Sequence, residues 1–247
     1  MIELNTAQQG LAGKTFRTSV DTLSVLRSAF DHYDARRILD IGCGDGTLAH
    51  ALHECGYSLA GIDPAAAAID RARERLLAAE FRCALAEALP ADLGQFDAAY
   101  FVNSLHHVRS DQMQAALLNA ISVVGTNGIV LVIEPLAQGS FFRAMRPVED
   151  ETRIRAQATQ AIEGLISAER LVLHDLRRWN RENLFTGLDD FIAYLARVLP
   201  ERAEVARRNE AALVRAWRDN IRSIDGMAAL IQPMICWTLS APQEPRR

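Results

Sequence analysis

An α/β fold built on a mostly parallel sheet follows from three observations. Strand-like and helix-like segments alternate from about residue 36 to residue 135. The strands are apolar along their length rather than on alternate residues, and a glycine-rich turn joins the first of them to a helix. Strands buried on both faces need helices above and below, which the alternation supplies.

Taken in order, residues 1–17 offer no periodic apolar pattern. Thr18 offers an N-cap with Asp21 three residues on, and Val20, Leu23, Leu26 and Phe30 form the stripe of a helix running to about Tyr33. Arg36 to Asp40 reads as the first strand. Thr47 opens a helix, and Ser58 to Ile62 is the second strand. Pro64 stands in the favoured first turn of a helix faced by Ile69, Ala72 and Leu76. Glu80–Ala84 and Asp97–Val102 are the third and fourth strands. A helix follows from about Asp111 to Val123, then a turn at Gly125–Gly128 and a fifth, most apolar strand, Ile129–Ile133.

After Glu134-Pro135 the pattern changes. Val148–Ala168 reads helical, Leu171–Asp175 as a sixth strand, and 188–198 and 201–224 as helices. In the last of these Leu213, Trp217, Ile221 and Ile224 form a stripe. Met234–Leu239 reads as a closing strand. The expected organisation is a single domain over 1–247: an N-terminal cap helix in 1–34, a ligand-binding core over 36–135, cap elaborations over 136–232 around strand six, and a closing strand at 233–240.

The bulk properties narrow the function. The chain has 247 residues, 49% of them apolar, enough for a full core. A net charge of −4, with no long basic run, argues against a nucleic-acid partner. The N-terminus lacks a signal-peptide pattern and no apolar stretch approaches membrane-spanning length, so the expectation is a cytoplasmic protein with no membrane partner. Cys43, Cys55, Cys83 and Cys236 are scattered, as reduced thiols are.

Chemistry concentrates in Asp40-Ile41-Gly42-Cys43-Gly44-Asp45-Gly46, followed by Asp63 at the end of the second strand. Strand, glycine turn, helix, strand and acid make up a nucleotide-binding unit. Thr47 stands where a dinucleotide fingerprint has its third glycine, and no lysine follows, so neither a pyrophosphate cradle nor a P-loop fits. A phosphate-free ligand with a cationic amino-acid end suits the acid before the turn, and Asp63 can accept from both hydroxyls of a ribose. Adenosine joined to an amino acid is S-adenosylmethionine.

On these residues the stretch from Arg36 to Pro135 resembles the class I S-adenosylmethionine-dependent methyltransferases of the small-molecule type. The resemblance implies a Rossmann-like, doubly wound, seven-stranded sheet with an antiparallel last strand and helical caps. It implies Asp40, Gly42, Cys43, Gly44 and Gly46 around the methionine end, and Asp63 on the ribose with Pro64 on the adenine. Leu85, Ala86 and Glu87 fall at the adenine edge, and Asn103 and Ser104 beside the methionine portion. Leu85 departs from the acid usual there, leaving the exocyclic amine to backbone at Ala86 or to Glu87. S-adenosylhomocysteine is the implied product.

His106 and His107, adjacent at a strand end, are the general-base candidates because imidazole titrates near neutrality; they also suit a packing role. Two adjacent side chains rarely converge on one ion, so no metal is expected. Asn103 is not followed by Pro-Pro-Tyr, no glutamate pair stands near 100–107, and Glu134-Pro135 replaces the Asp-Asn pair of metal-dependent catechol methyltransferases. A small-molecule acceptor remains, methylated on O, N or C. Arg17, Phe141, Phe142, Arg143, Arg146 and Trp179 are its candidate contacts, the arginines for an anionic group; the bland alternative leaves the arginines solvated or pairs them with Glu149, Asp150 and Glu151. A monomer or homodimer is expected. Two rival functions share the scaffold: an enzyme using the same ligand for other chemistry, and a non-catalytic partner subunit.

Overall fold

The structure, a computed structural model, describes residues 21–243. The first half alternates as its sequence demands: α1 (Thr22–His32), β1 (Arg37–Ile41), α2 (Thr47–Glu54), β2 (Ser58–Asp63), α3 (Ala66–Arg75), β3 (Glu80–Cys83), β4 (Phe96–Val102), a single 3-10 turn at Leu105–His107, α4 (Met113–Val123) and β5 (Val124–Pro135). Then come α5 (Gly139–Met145), α6 (Thr152–Ser167), β6 (Val172–Phe185), α7 (Leu188–Val198), α8 (Arg202–Arg208), α9 (Glu210–Asn220), β7 (Arg222–Ile224) and β8 (Met227–Ser240). The expected cap at Thr18 and the stripe residue Val20 lie outside the described residues.

Strand order is β3-β2-β1-β4-β5-β8-β6, with the three-residue β7 added beside β8. The pairs β1–β2, β2–β3, β1–β4 and β4–β5 are parallel, and the sheet is mixed, with an antiparallel strand. The chain leaves β1 toward β2 and later returns on its other side as β4. Strand order therefore reverses between β1 and β4, where open α/β sheets place their ligands. Asp97 fixes this pair: its Oδ2 accepts the N–H groups of Arg36 at 2.9 Å and Arg37 at 2.7 Å. Ile38, Leu39, Tyr100, Phe101 and Val130 are fully buried, which is why these strands read as continuous apolar runs.

Contacts group the chain into two compact units. The core unit holds Thr22–Glu134, Ile154–Arg178 and the stretch from Ile235. The second unit holds Pro135–Arg153 and Trp179–Met234, and its core is aromatic. Phe185 packs edge-on against Phe191 at 5.2 Å, Phe191 lies 5.2 Å from Trp217, and Phe141 meets Phe191 at 5.5 Å. The same unit buries an ion cluster: Arg202 Nε donates to Glu149 Oε2 at 2.5 Å, and its guanidinium also reaches Glu151 Oε1 at 2.8 Å.

Several boundaries differ from the sequence expectation. The turn at Gly125–Gly128 is a bulge within β5: Phe96 pairs with Val124 and Ala98 with Ile129, so the extra residues loop out. α6 starts at Thr152 rather than Val148, because Asp150 Oδ1 accepts the Thr152 N–H at 3.0 Å. The helix expected over 201–224 breaks at Asn209, and Ile224 lies in β7. Asp225 and Gly226, both at positive φ, make the two-residue hairpin turn into β8. β6 runs well past Asp175, and the closing strand starts earlier, at Met227.

Arg202→Met removes the guanidinium that Glu149 and Glu151 share. Denaturant unfolding should show a loss of about 3 kcal/mol, of which replacing all three residues with apolar ones recovers most.

Candidate active site

The turn after β1 is set by backbone. Gly42, Gly44 and Gly46 take φ of +81°, +55° and +73°, values that side chains disfavour. The N–H groups of Gly42 and Cys43 both donate to Ile62 O, at 2.8 and 2.9 Å, locking the turn to β2. A Cβ on Gly42 would fall 2.4 Å from Ser104 Cβ, whereas one on Gly44 would meet nothing within 4 Å. Gly42 is thus required by the neighbouring loop, and Gly44 borders open space. Ser104 comes that close because its Oγ donates to Ile41 O at 2.7 Å.

Asp63 ends β2 and is half-buried. Its Oδ2 accepts Gly44 N–H at 2.9 Å, and its Oδ1 accepts Ala65 N–H at 2.8 Å. It therefore braces the glycine turn and opens α3 together, while each oxygen keeps a second lone pair.

Asp40 is buried, and desolvation lifts its carboxyl from 3.8 to about 7, with the Asp63 charge adding to the rise. The buried Tyr100 hydroxyl lowers it somewhat from nearby, but meets no partner at full hydrogen-bond geometry. Burial likewise pushes the Cys43 thiol up, with Asp40 and Asp63 contributing, so Cys43 is a packing residue of the turn rather than a nucleophile.

A cavity of about 290 Å³ opens beside the turn. Gly42, Pro64, Leu85, Ala86, Glu87, Ser104 and His107 all line it, with Arg109 added. Asn119, on α4, holds the 84–88 loop by donating to Ala86 O at 3.2 Å. Asn103 takes φ of +53° and donates its N–H to Ile133 O at 2.9 Å; its Oδ1 is buried and unpartnered. The sequence-predicted set thus converges on one end of the sheet.

The histidines separate. His107 is exposed and lines the cavity, whereas His106 is 5% exposed. Its Nδ1 pairs with Glu134 Oε2, and Glu134 Oε1 accepts the Leu105 N–H at 2.9 Å. A carboxylate at Nδ1 favours the tautomer that carries its proton on Nδ1. Glu134 is the residue that sequence reading missed. An acid at the end of the most apolar strand was the available signal.

The expected acceptor contacts do not gather. Arg17 lies outside the described residues. Phe141 and Phe142 are 4% and 3% exposed, inside the second unit's core. Arg143 donates to Asn220 Oδ1 at 2.7 Å, and Arg146 pairs with Asp150 at 2.9 Å, as the bland alternative held for Arg146. Trp179 is half-buried on β6. No cluster of three or more His, Cys, Asp or Glu able to hold a metal occurs among the described residues, nor any helix long and apolar enough to cross a membrane.

Comparison with known proteins agrees with this geometry. Residues 38–128 match the family model described as a methyltransferase domain. That stretch, from β1 to β5, is what this chain shares with the methyltransferase family. An uncharacterized methyltransferase of Synechocystis sp. is 28% identical over 99 residues, 40% of this chain and 47% of that protein. A ubiquinone biosynthesis O-methyltransferase of Methylocella silvestris is 40% identical over 76 residues, 29% of this chain and 30% of that protein. The chain thus matches less than half the length of these curated relatives. Among solved structures, the YcgJ protein of Bacillus subtilis is 18% identical with a TM-score of 0.64, covering 88% of this chain and 98% of that one. At that identity the likeness shows a shared fold.

Two folding predictions follow. Gly42→Ala combines a strained φ with the Ser104 clash and should cost about 3 kcal/mol in urea unfolding, against about 1 kcal/mol for Gly44→Ala. Asp40 stays protonated in the fold up to about pH 7 and ionises near pH 4 when unfolded. The unfolded chain therefore binds fewer protons between those values, and stability falls as pH rises through that window, by on the order of 4 kcal/mol. Asp40→Asn should remove most of that decline, as read by denaturant midpoints at pH 5 and 8.

Proposed function

We propose that this chain binds S-adenosylmethionine in its core unit and transfers the methyl group to an O, N or C atom of a small molecule. The carrying observation is Asp63: a half-buried carboxylate held by the Gly44 and Ala65 N–H groups, beside open space at Gly44, with lone pairs left for two ribose hydroxyls. The buried, unpartnered Oδ1 of Asn103 fits a ligand that brings N–H donors. The 49%-exposed Leu85, with Pro64, fits an apolar ring at the cavity wall. The name of the Methylocella relative supports a small-molecule acceptor.

When bound, S-adenosylmethionine supplies a methyl carbon already activated by sulfonium charge. The chain must hold donor and acceptor in line and exclude water. In this reading Asp63 holds the ribose, and Pro64, Leu85, Ala86 and His107 receive the adenine, with Glu87 or the Ala86 backbone at its amine. The glycine turn receives the amino-acid end, whose positive charge favours ionised Asp40. His106, oriented by Glu134, takes the proton from an acceptor that must lose one. Cys43, Gly46 and Ser104 shape the turn.

Calorimetry with S-adenosylhomocysteine and S-adenosylmethionine tests the assignment. Both should bind, with proton release below pH 7 and affinity up to about tenfold higher at pH 8 than at pH 6; Asp40→Asn should flatten that difference. Absence of binding by either ligand would end the cofactor reading. With an acceptor found by screening, His106→Gln and Glu134→Gln should lower kcat about a hundredfold or more while leaving S-adenosylhomocysteine affinity unchanged. Wild-type turnover in both variants would remove the base role.

A further inference from the structure

Three polar atoms in a row on one face of β6 have no partner. Side chains alternate along a strand, so Trp179, Arg181, Asn183 and Phe185 share a face. Phe185 is fully buried in the second unit's aromatic core. Ahead of it, Trp179 Nε1, Arg181 Nε and Asn183 Oδ1 are each shielded from solvent without a hydrogen-bond partner. Asn183 is 0% exposed. Its orientation is set by its other end: Nδ2 donates to Arg181 O and to Leu230 O, both at 3.4 Å. Turning the amide over would aim Oδ1 at two carbonyl oxygens, so Oδ1 remains the unmatched atom.

Buried polar groups in folded proteins are nearly always paired, and an unpaired one calls for an explanation. Three at consecutive positions of one strand face, all in the second unit, do not read as independent accidents. Arg181 sharpens the point. It makes no ion pair among the described residues, although elsewhere in the same unit the buried Arg202 is matched by two glutamates.

We infer that this face of β6 is a binding site for a small organic anion that also carries a hydroxyl or N–H group. Arg181 and Trp179 present donors, and a guanidinium that lacks a carboxylate partner selects a negatively charged oxygen. Asn183 Oδ1, next along the strand, accepts from the ligand's own donor. Neighbours on one strand face are about 7 Å apart, which a hydroxylated aromatic carboxylate spans, and the Trp179 indole offers such a ring a flat apolar surface. Nothing in this assignment depends on S-adenosylmethionine.

The test is titration of the full chain, without S-adenosylmethionine, with 3-hydroxybenzoate, benzoate and phenol, read by calorimetry. 3-Hydroxybenzoate should bind at least tenfold tighter than either comparison compound. Trp179→Phe, which keeps the ring and loses the N–H, should weaken it several-fold. Arg181→Met should erase its advantage over phenol. Asn183→Leu should erase its advantage over benzoate and raise the melting temperature, since an unmatched acceptor is replaced by an apolar group. Failure of the wild-type chain to bind 3-hydroxybenzoate would overturn the proposal. So would equal binding by the wild-type chain and by Trp179→Phe and Asn183→Leu proteins that melt cooperatively. In either case water alone satisfies the three atoms.

Discussion

One carboxylate ties together the two turns on which the site is built. Asp63 leaves the end of β2 and takes an N–H from Gly44 in the first turn and from Ala65 at the start of α3. The glycine turn cannot relax toward ordinary dihedrals without losing that bond and the pair that Gly42 and Cys43 make to Ile62 O. Because Ile62 and Asp63 belong to β2, the register between β1 and β2 fixes the turn as firmly as the glycines do. The Asn103–Ser104 turn then closes against Gly42, so one missing Cβ sets how near the end of β4 approaches the end of β1.

Asp40 and Glu134 show how two similar acids diverge by environment. Asp40 is buried near the Tyr100 phenol and the Asp63 carboxylate, and burial above all drives it toward the neutral form. Glu134 is as deeply buried, yet both its oxygens are engaged, one by the Leu105 amide and one by His106. The first awaits a positive charge, and the second orients an imidazole. Both lie at ends of parallel strands on the side where strand order reverses, so the topology gathers them without any sequence proximity.

Much of the core was readable because its signals are local and periodic. Apolar runs, the glycine spacing and the acid at residue 63 need no knowledge of the fold, and Gly42 of that turn and Pro64 beside that acid line the 290 Å³ cavity. The later half resisted for physical reasons. β6 is exposed on both faces over its first half and mixes Val172, Leu173 and Leu176 with charged residues, so neither alternation nor an apolar run marks its true length. Asp225-Gly226 is a strong hairpin signal, but the helical stripe that seemed to continue through Ile221 and Ile224 masked it. Phe141 and Phe142 looked like pocket walls because an aromatic pair beside arginines reads the same whether it faces a ligand or fills a core. Glu134 needed the tertiary pairing with His106 to acquire a meaning beyond its strand end.

The most direct measurement is a crystal structure of the chain grown with S-adenosylhomocysteine. The expected density shows ribose hydroxyls on the Asp63 carboxylate while its bonds to the Gly44 and Ala65 amides persist, with the adenine in the cavity between Pro64 and His107. Density for the ligand elsewhere, or a bound ligand that leaves Asp63 with only its two backbone partners, would contradict the central role given to that residue.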